Sequence, residues 1–288
     1  MKKLLALAIL LIFTSGLAQN NPSGCPAEIR FGILPTEEAA AQARFGSLFQ
    51  YLERQTGSRF RVTIGADYAA IIIAMANNRL ELAWFGPEAY VQAARQTRVV
   101  PLVIADNVVS GLSYFSSIYV RADSAFRTLD DLRGRTLAFV DPNSTSGYLI
   151  PMVFFVREAR VRPEAHFSQV VFAGTHNAGL LSLLNRRVDA AALSSTTVNR
   201  AIRQGSLREG ELRAIWTSKE IPNSPITASA SLSPTCRAAV QRAFLSLRDP
   251  GVLTALDARR FVIVADSYYA PVREAGRVRE ELRRAQNP

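Results

Sequence analysis

The chain has 288 residues, 48% of them hydrophobic, with 34 basic against 24 acidic side chains for a formal net charge of +10. That apolar share excludes a disordered chain and suffices for one large or two modest packed domains, and the positive balance favours anionic partners. It does not point to nucleic acid. Only Lys2, Lys3 and Lys219 are lysines, and the arginines are scattered or interleaved with glutamate, as in "REAGRVREELRR", the pattern of an exposed helix face.

The chain opens on "MKKLLALAILLIFTSGLAQNN", with two lysines, an apolar stretch from Leu4 to Phe13, and small residues Gly16 and Ala18 at signal-peptidase spacing. We expect a cleaved secretory signal over 1–18 and a periplasmic or extracytoplasmic mature protein, because the apolar run is shorter than the roughly 20 residues of a spanning helix. Loss of Lys2 and Lys3 leaves a formal +8. Cys25 and Cys236 both lie in the exported portion, where an oxidising compartment permits a disulfide that sequence alone does not decide. Lipidation of Cys25 is disfavoured, since "NPSGC" lacks an aliphatic residue three positions earlier and sits well beyond the apolar run.

The mature chain then repeats a short β-rich run, a polar or glycine break, and a helix-period segment. "EIRFGIL" leads through Pro35-Thr36 into a segment ending "QYLERQTG"; "RFRVTIG" leads through Ala66-Asp67-Tyr68 into "AAIIIAMANNR"; "LELAWFG" leads through Gly86-Pro87 into "EAYVQAARQ". "TLAFV" meets "DPNSTSG" before "YLIPMVFFVREAR", and "QVVFAG" meets Thr175-His176-Asn177 before "AGLLSLLNRR". Five such units describe an α/β fold with largely parallel sheets. The alternation changes twice, at "SGLSYFSSIYVRADS" and at "IPNSPITASASLSP", and both segments read as crossings between lobes. The expected division is lobe 1 over 26–112 plus 216–288 and lobe 2 over 113–215.

Ligands of open α/β sheets sit beyond the carboxyl ends of strands, where helix starts offer unpaired N–H groups and a positive dipole end. Ser144, Thr145 and Ser146 stand at one such start and add three hydroxyl donors suited to a tetrahedral oxyanion, with Gly147 allowing close backbone approach. Tyr68 and His176 stand at two other junctions. His166, in the charged stretch "RPEAHFSQ", reads as a surface residue, and Trp84, Phe85, Phe154 and Phe155 read as core. Enzyme motifs are lacking: "NSTSG" is not the G-x-S-x-G of a nucleophile elbow, two isolated histidines make no metal motif, and no phosphate loop or dinucleotide fingerprint occurs, so no cofactor is expected.

At these residues the chain resembles the phosphate/phosphite/phosphonate family of periplasmic solute-binding proteins that feed ABC importers. The similar stretches are "ADYAAIIIAMANNRLELAWFGPEAYVQAA", "SYFSSIYVRADSAFRTLDDLRGRTLAFVDPNSTSGYLIP", "VVFAGTHNAGLLSLLNRRVDAAAL" and "RFVIVADSYYAPVRE". The resemblance implies a type II periplasmic binding fold, two lobes hinged around an interlobe cleft, a membrane ABC permease as partner, and no enzymatic activity; a monomer is expected. It implies that Ser144, Thr145, Ser146 and His176 bind the phosphorus oxygens, with Tyr68 and Tyr114 reaching the ligand from the other side. Aminophosphonate binders of the family place acids where this chain has Leu193-Ser194-Ser195 and Asn223-Ser224-Pro225. With Ser195 and Ser224 there, the resemblance implies a small uncharged substituent or none, as in phosphite, phosphate or a short alkylphosphonate. The alternatives are another small anion, a sensor module on the same fold, or a hydrolase using Ser144 or Ser146 with His176.

Overall fold

In the computed structural model, which describes residues 23–35 and 38–286, alternation places Ile29, Phe31 and Ile33 of β1 (Glu28–Ile33) on one buried face. α1 (Glu38–Thr56) covers that face with Phe45, Leu48, Phe49 and Leu52, a helical i, i+3, i+4, i+7 stripe. The expected signal at 1–18 lies outside the described residues. β2 (Arg59–Ile64), α2 (Tyr68–Ala76), β3 (Leu82–Trp84), α3 (Pro87–Gln96) and β4 (Val99–Asn107) follow. Asp67 caps α2 by accepting from the Ala70 N–H at 2.7 Å, and Pro87 opens α3, where its missing N–H costs nothing.

The chain crosses at β5 (Ser113–Tyr114) into β6 (Ser116–Arg121) and β7 (Thr136–Phe139). A π turn, Thr145–Leu149, runs into α4 (Ile150–Val153) and a second π turn, Phe154–Glu158. α5 (Pro163–His166), β8 (Gln169–Phe172), α6 (His176–Leu184), β9 (Ala190–Ser194), α7 (Ser195–Arg203) and β10 (Leu212–Thr217) complete this part. The return runs through β11 (Ile221–Pro222) into β12 (Pro225–Ser229), α8 (Pro234–Ser246), α9 (Pro250–Ala255), β13 (Ala258–Ile263) and α10 (Ala270–Gln286).

Two sheets result. The first has the order β13-β4-β12-β3-β1-β2 and the second β10-β6-β9-β7-β8, with β5 and β11 paired alone between them. β10 belongs to the second sheet as far as Thr217, two residues beyond the boundary expected at 215. The expectation of largely parallel sheets is corrected. β1 pairs parallel with β2 and β3, and β7 with β8 and β9, but β6, β10, β12 and β13 all pair antiparallel. β6 and β12 enter from the crossings without an intervening crossover helix, so they arrive in the opposite sense.

His166 is not a surface residue. It is 3% exposed, its Nε2 lies 2.9 Å from the Leu129 carbonyl, and its ring meets Phe167 edge-on. The surrounding charges, Arg162 and Glu164, point outward from the single turn that Pro163 starts, while His166 faces the core. Phe85 and Phe155 are fully buried, as read from the sequence.

Cys25 and Cys236 form a disulfide that ties the segment before β1 to the first turn of α8, across 211 residues of sequence. A sulfur in that bond has no valence left for a lipid thioether. Because the bridge closes a loop that contains the whole second sheet, replacing both cysteines by serine is expected to cost about 2–5 kcal/mol. Denaturant unfolding of the double variant against the oxidised parent measures it, and an unchanged midpoint would contradict the expectation.

Candidate functional site

The strand-to-helix junctions of the two lobes face each other over a cleft of about 230 Å³. Ser144, Thr145 and Ser146, at the start of the π turn, are each 2–3% exposed, yet all three border the cleft. Ser144 caps the turn, its Oγ accepting from the Gly147 N–H at 3.0 Å. Thr145 Oγ1 accepts from the Glu88 N–H at 2.8 Å, a bond from the start of α3 in the opposite lobe. The backbone N–H groups of Thr145 and Ser146 make no hydrogen bond to other described residues.

His176 opens α6 and joins the same group, its Nε2 3.5 Å from Ser144 Oγ and 3.4 Å from Ser146 Oγ. Its Nδ1 accepts from the Ser194 N–H at 3.2 Å. A nitrogen that accepts carries no proton, so the neutral ring holds its hydrogen on Nε2, facing the serines. Burial, reinforced by the charge of Arg200, lowers the His176 pKa to about 4, and the ring is therefore neutral at pH 7. Tyr68 and Tyr114 border the same cleft as the three hydroxyl residues. Burial raises both phenols, Tyr114 to about 12, so each keeps its proton.

The structure thus brings Tyr68, Tyr114, Ser144, Thr145, Ser146 and His176 together. It does not do so for two others. Gly147 is absent from the cleft wall, and its close approach is to the protein: a Cβ there would lie 2.4 Å from Val140 Cβ, so glycine lets the turn pack on the end of β7. Ser195 faces the first crossing, with its Oγ accepting from the Phe115 N–H at 3.0 Å, and Ser194, Thr196 and Thr197 border the cleft instead. Ser224 does border the cleft. Its neighbour Asn223 is committed to the hinge: the amide donates to the carbonyls of Ala105 and Gly111 at 2.9 and 2.8 Å, and its carbonyl accepts from the Tyr269 hydroxyl at 2.9 Å.

Trp84 is core only in part, because one edge reaches the cleft. Sequence reasoning also missed two arginines in the wall, Arg44 on α1 and Arg200 on α7. Neither is marked by a motif among so many scattered arginines. Among the described residues, no Asp or Glu borders the cleft.

This chemistry suits binding. A hydrolytic His would need an acid to orient it and a basicity near neutrality, whereas His176 is oriented by a backbone N–H and titrates near 4. No group of three or more His, Cys, Asp or Glu able to hold a metal occurs among the described residues. Two lobes joined by paired crossings around a cleft of aimed donors define a solute-binding protein of the type II periplasmic fold.

Comparison with known proteins agrees. Residues 31–269 match the family model described as "ABC transporter, phosphonate, periplasmic substrate-binding protein", and the chain belongs to that family of non-enzymatic transport proteins. The "Phosphate-import protein PhnD" of Mycolicibacterium smegmatis is 34% identical over 222 residues, 73% of this chain and 69% of that protein. The "Phosphonates-binding periplasmic protein" of Escherichia coli is 28% identical over 263 residues, 88% of this chain and 77% of that one. A crystal structure of a binding-protein component of an ABC phosphonate transporter from Pseudomonas aeruginosa superposes with a TM-score of 0.83 at 24% identity, over 90% of this chain and 89% of that one.

The pKa of His176 carries a stability consequence. Its folded value, about 4, lies below the ordinary 6.5, so the unfolded chain takes up this proton first as the pH falls. The stabilisation is complete above pH 6.5 and is lost as the pH falls to about 4. Unfolding midpoints of the ligand-free protein should fall over that window, and by less in His176→Gln. Parallel curves for the two proteins would show that His176 is not the group responsible.

Proposed function

We propose that this family member captures a small phosphorus oxyanion, phosphite, phosphate or a short phosphonate, by closure of its lobes, and delivers it as a monomer to the membrane permease. The cleaved signal over 1–18 and a periplasmic site of action belong to the same reading. One observation supports it: three of the four polar side chains in the cradle already accept a backbone N–H. Gly147 donates to Ser144, Glu88 to Thr145 and Ser194 to His176. The O–H and Nε2–H protons are the ones left to give, so the cradle is a set of donors matched to an acceptor-rich oxyanion.

Tyr68 from the first lobe and Tyr114 from the crossing add two protonated phenols, so a bound oxyanion would bridge the lobes. Helix-start N–H groups supply positive potential without a formal cation at the cradle itself. The names of the two sequence relatives, one for phosphate import and one for phosphonate binding, support the phosphorus class without choosing within it. The absence of a carboxylate among the described wall residues disfavours a substituent bearing an ammonium group.

Hydrogen bonds to a charged ligand contribute about 1.5–3 kcal/mol each, so Ser144→Ala with Ser146→Ala is expected to weaken binding roughly a hundredfold or more. Loss of the Ser144 cap should itself cost about 1 kcal/mol of stability. Calorimetry with phosphate, phosphite, methylphosphonate and a sulfonate control, alongside ligand-free melts, checks both effects. Unaltered affinity in the double variant would remove the cradle from the site, and selective binding of the sulfonate would overturn the phosphorus assignment.

A further inference from the structure

The oxyanion cradle leaves part of the cleft unexplained. Arg44 projects into it from α1, its guanidinium 5.0 Å from the Phe45 ring centroid and 5.8 Å from that of Trp84. Its Nε is buried without a hydrogen-bond partner, and it has no ion-pair partner among the described residues. Burial and the charge of Arg200 lower its pKa to about 9, which still leaves a full cation at pH 7. Among the described residues, the carboxylate whose charge reaches Arg44 is that of Asp257, and its two oxygens are taken by Arg200 and Arg203. Arg200, at the wall, extends its field to both Arg44 and His176.

An arginine held half-buried in a cleft without an acceptor has surrendered water contacts for nothing in return, unless a ligand supplies the acceptor. The aromatic faces hold its position. Its place is also informative: Trp84, on which it lies, donates its indole N–H to the Ser224 carbonyl at 3.2 Å. The cation therefore stands beside the return segment, where sequence reasoning looked for the groups that read the substituent on phosphorus. At 230 Å³ the cleft exceeds many times over the roughly 10–15 Å³ that one water needs by the same measure, so it has room for more than a lone tetrahedral ion.

We infer that the preferred ligand is a phosphonate whose short substituent ends in a second anionic group, a phosphonocarboxylate, with its phosphorus oxygens on Ser144–Ser146 and its carboxylate on Arg44 beside Arg200. The inference rests on the oxyanion reading of the cradle and replaces the neutral substituent with an anionic one. The planar fork of a guanidinium matches the two oxygens of a carboxylate, and a 2-aminoalkyl group would meet two cations and, among the described wall residues, no acid.

Calorimetry on the mature chain with 3-phosphonopropionate, ethylphosphonate and 2-aminoethylphosphonate tests the order. The carboxylate compound is expected to bind about tenfold or more tighter than the neutral one, with the amine weakest. In Arg44→Gln, with folding checked by its melt, the ratio of carboxylate to neutral affinity should fall towards one. A ratio near one in the parent protein, or a large ratio that persists in Arg44→Gln, overturns the inference while leaving the oxyanion reading intact. If none of the three binds and phosphate and phosphite also fail, the oxyanion reading falls and this inference falls with it. The order of affinities in the parent protein decides the matter even if the variant does not fold.

Discussion

A helix start leaves backbone N–H groups that must find acceptors, and in this protein the way they are satisfied determines what the cleft can do. At the junction after β7, the N–H of Gly147 is answered by the Ser144 hydroxyl. At the start of α3 the N–H of Glu88 is answered by Thr145 from the opposite lobe, and at the end of β9 the N–H of Ser194 is answered by His176. At His176 the bond that settles a backbone donor also fixes the side-chain proton on Nε2, while the Ser144 and Thr145 hydroxyls keep a rotatable proton. Recognition is thus built from structural bonds rather than added to them, and changing a cradle residue also touches the element it caps.

The second constraint is the pairing of the crossings. Ile221 lies opposite Tyr114 and Pro222 opposite Ser113, so the two strands that leave and re-enter the first lobe form a two-residue ladder of their own. Asn223 and Tyr268 reinforce it through carbonyls at Ala105, Gly111 and Leu112. Tyr114 lies in that ladder and also borders the cleft, so one wall residue stands on the crossing itself.

Sequence reasoning read the junctions well because they depend on local chemistry: a strand, a break with cap residues, a helix. Ser144, His176 and Tyr68 were legible for that reason. Strand direction was not, since an apolar run reads the same both ways and β6 and β12 are reversed by the crossings that precede them. Ser195 was misplaced by one residue, because its neighbours on either side in the first turn of α7 look alike in sequence and only the turn decides which faces Phe115. His166 looked exposed because its neighbours are charged. Arg44 was invisible for the opposite reason: on an amphipathic helix it resembles any other basic residue, and its isolation is a property of what stands around it.

The lobes already touch outside the cradle, most of all where Arg200 and Arg203 of α7 both pair with Asp257 beside β13. Arg279 donates to the Pro142 carbonyl at 3.1 Å, and Arg157 pairs with Glu281 at 2.8 Å, both at exposed positions where such contacts contribute little. The bond from Glu88 to Thr145 is the buried one. Arg279 also reaches Glu88 Oε1 at 2.8 Å, so the start of α3 is tied to α10 by an ion pair and to the cradle by the Thr145 bond. A ligand can shift the balance between lobe arrangements only by as much as it binds one better than the other. If the proposed closure occurs, the contacts that differ between lobe arrangements, the Asp257 pairs included, set how much of the binding energy goes into it.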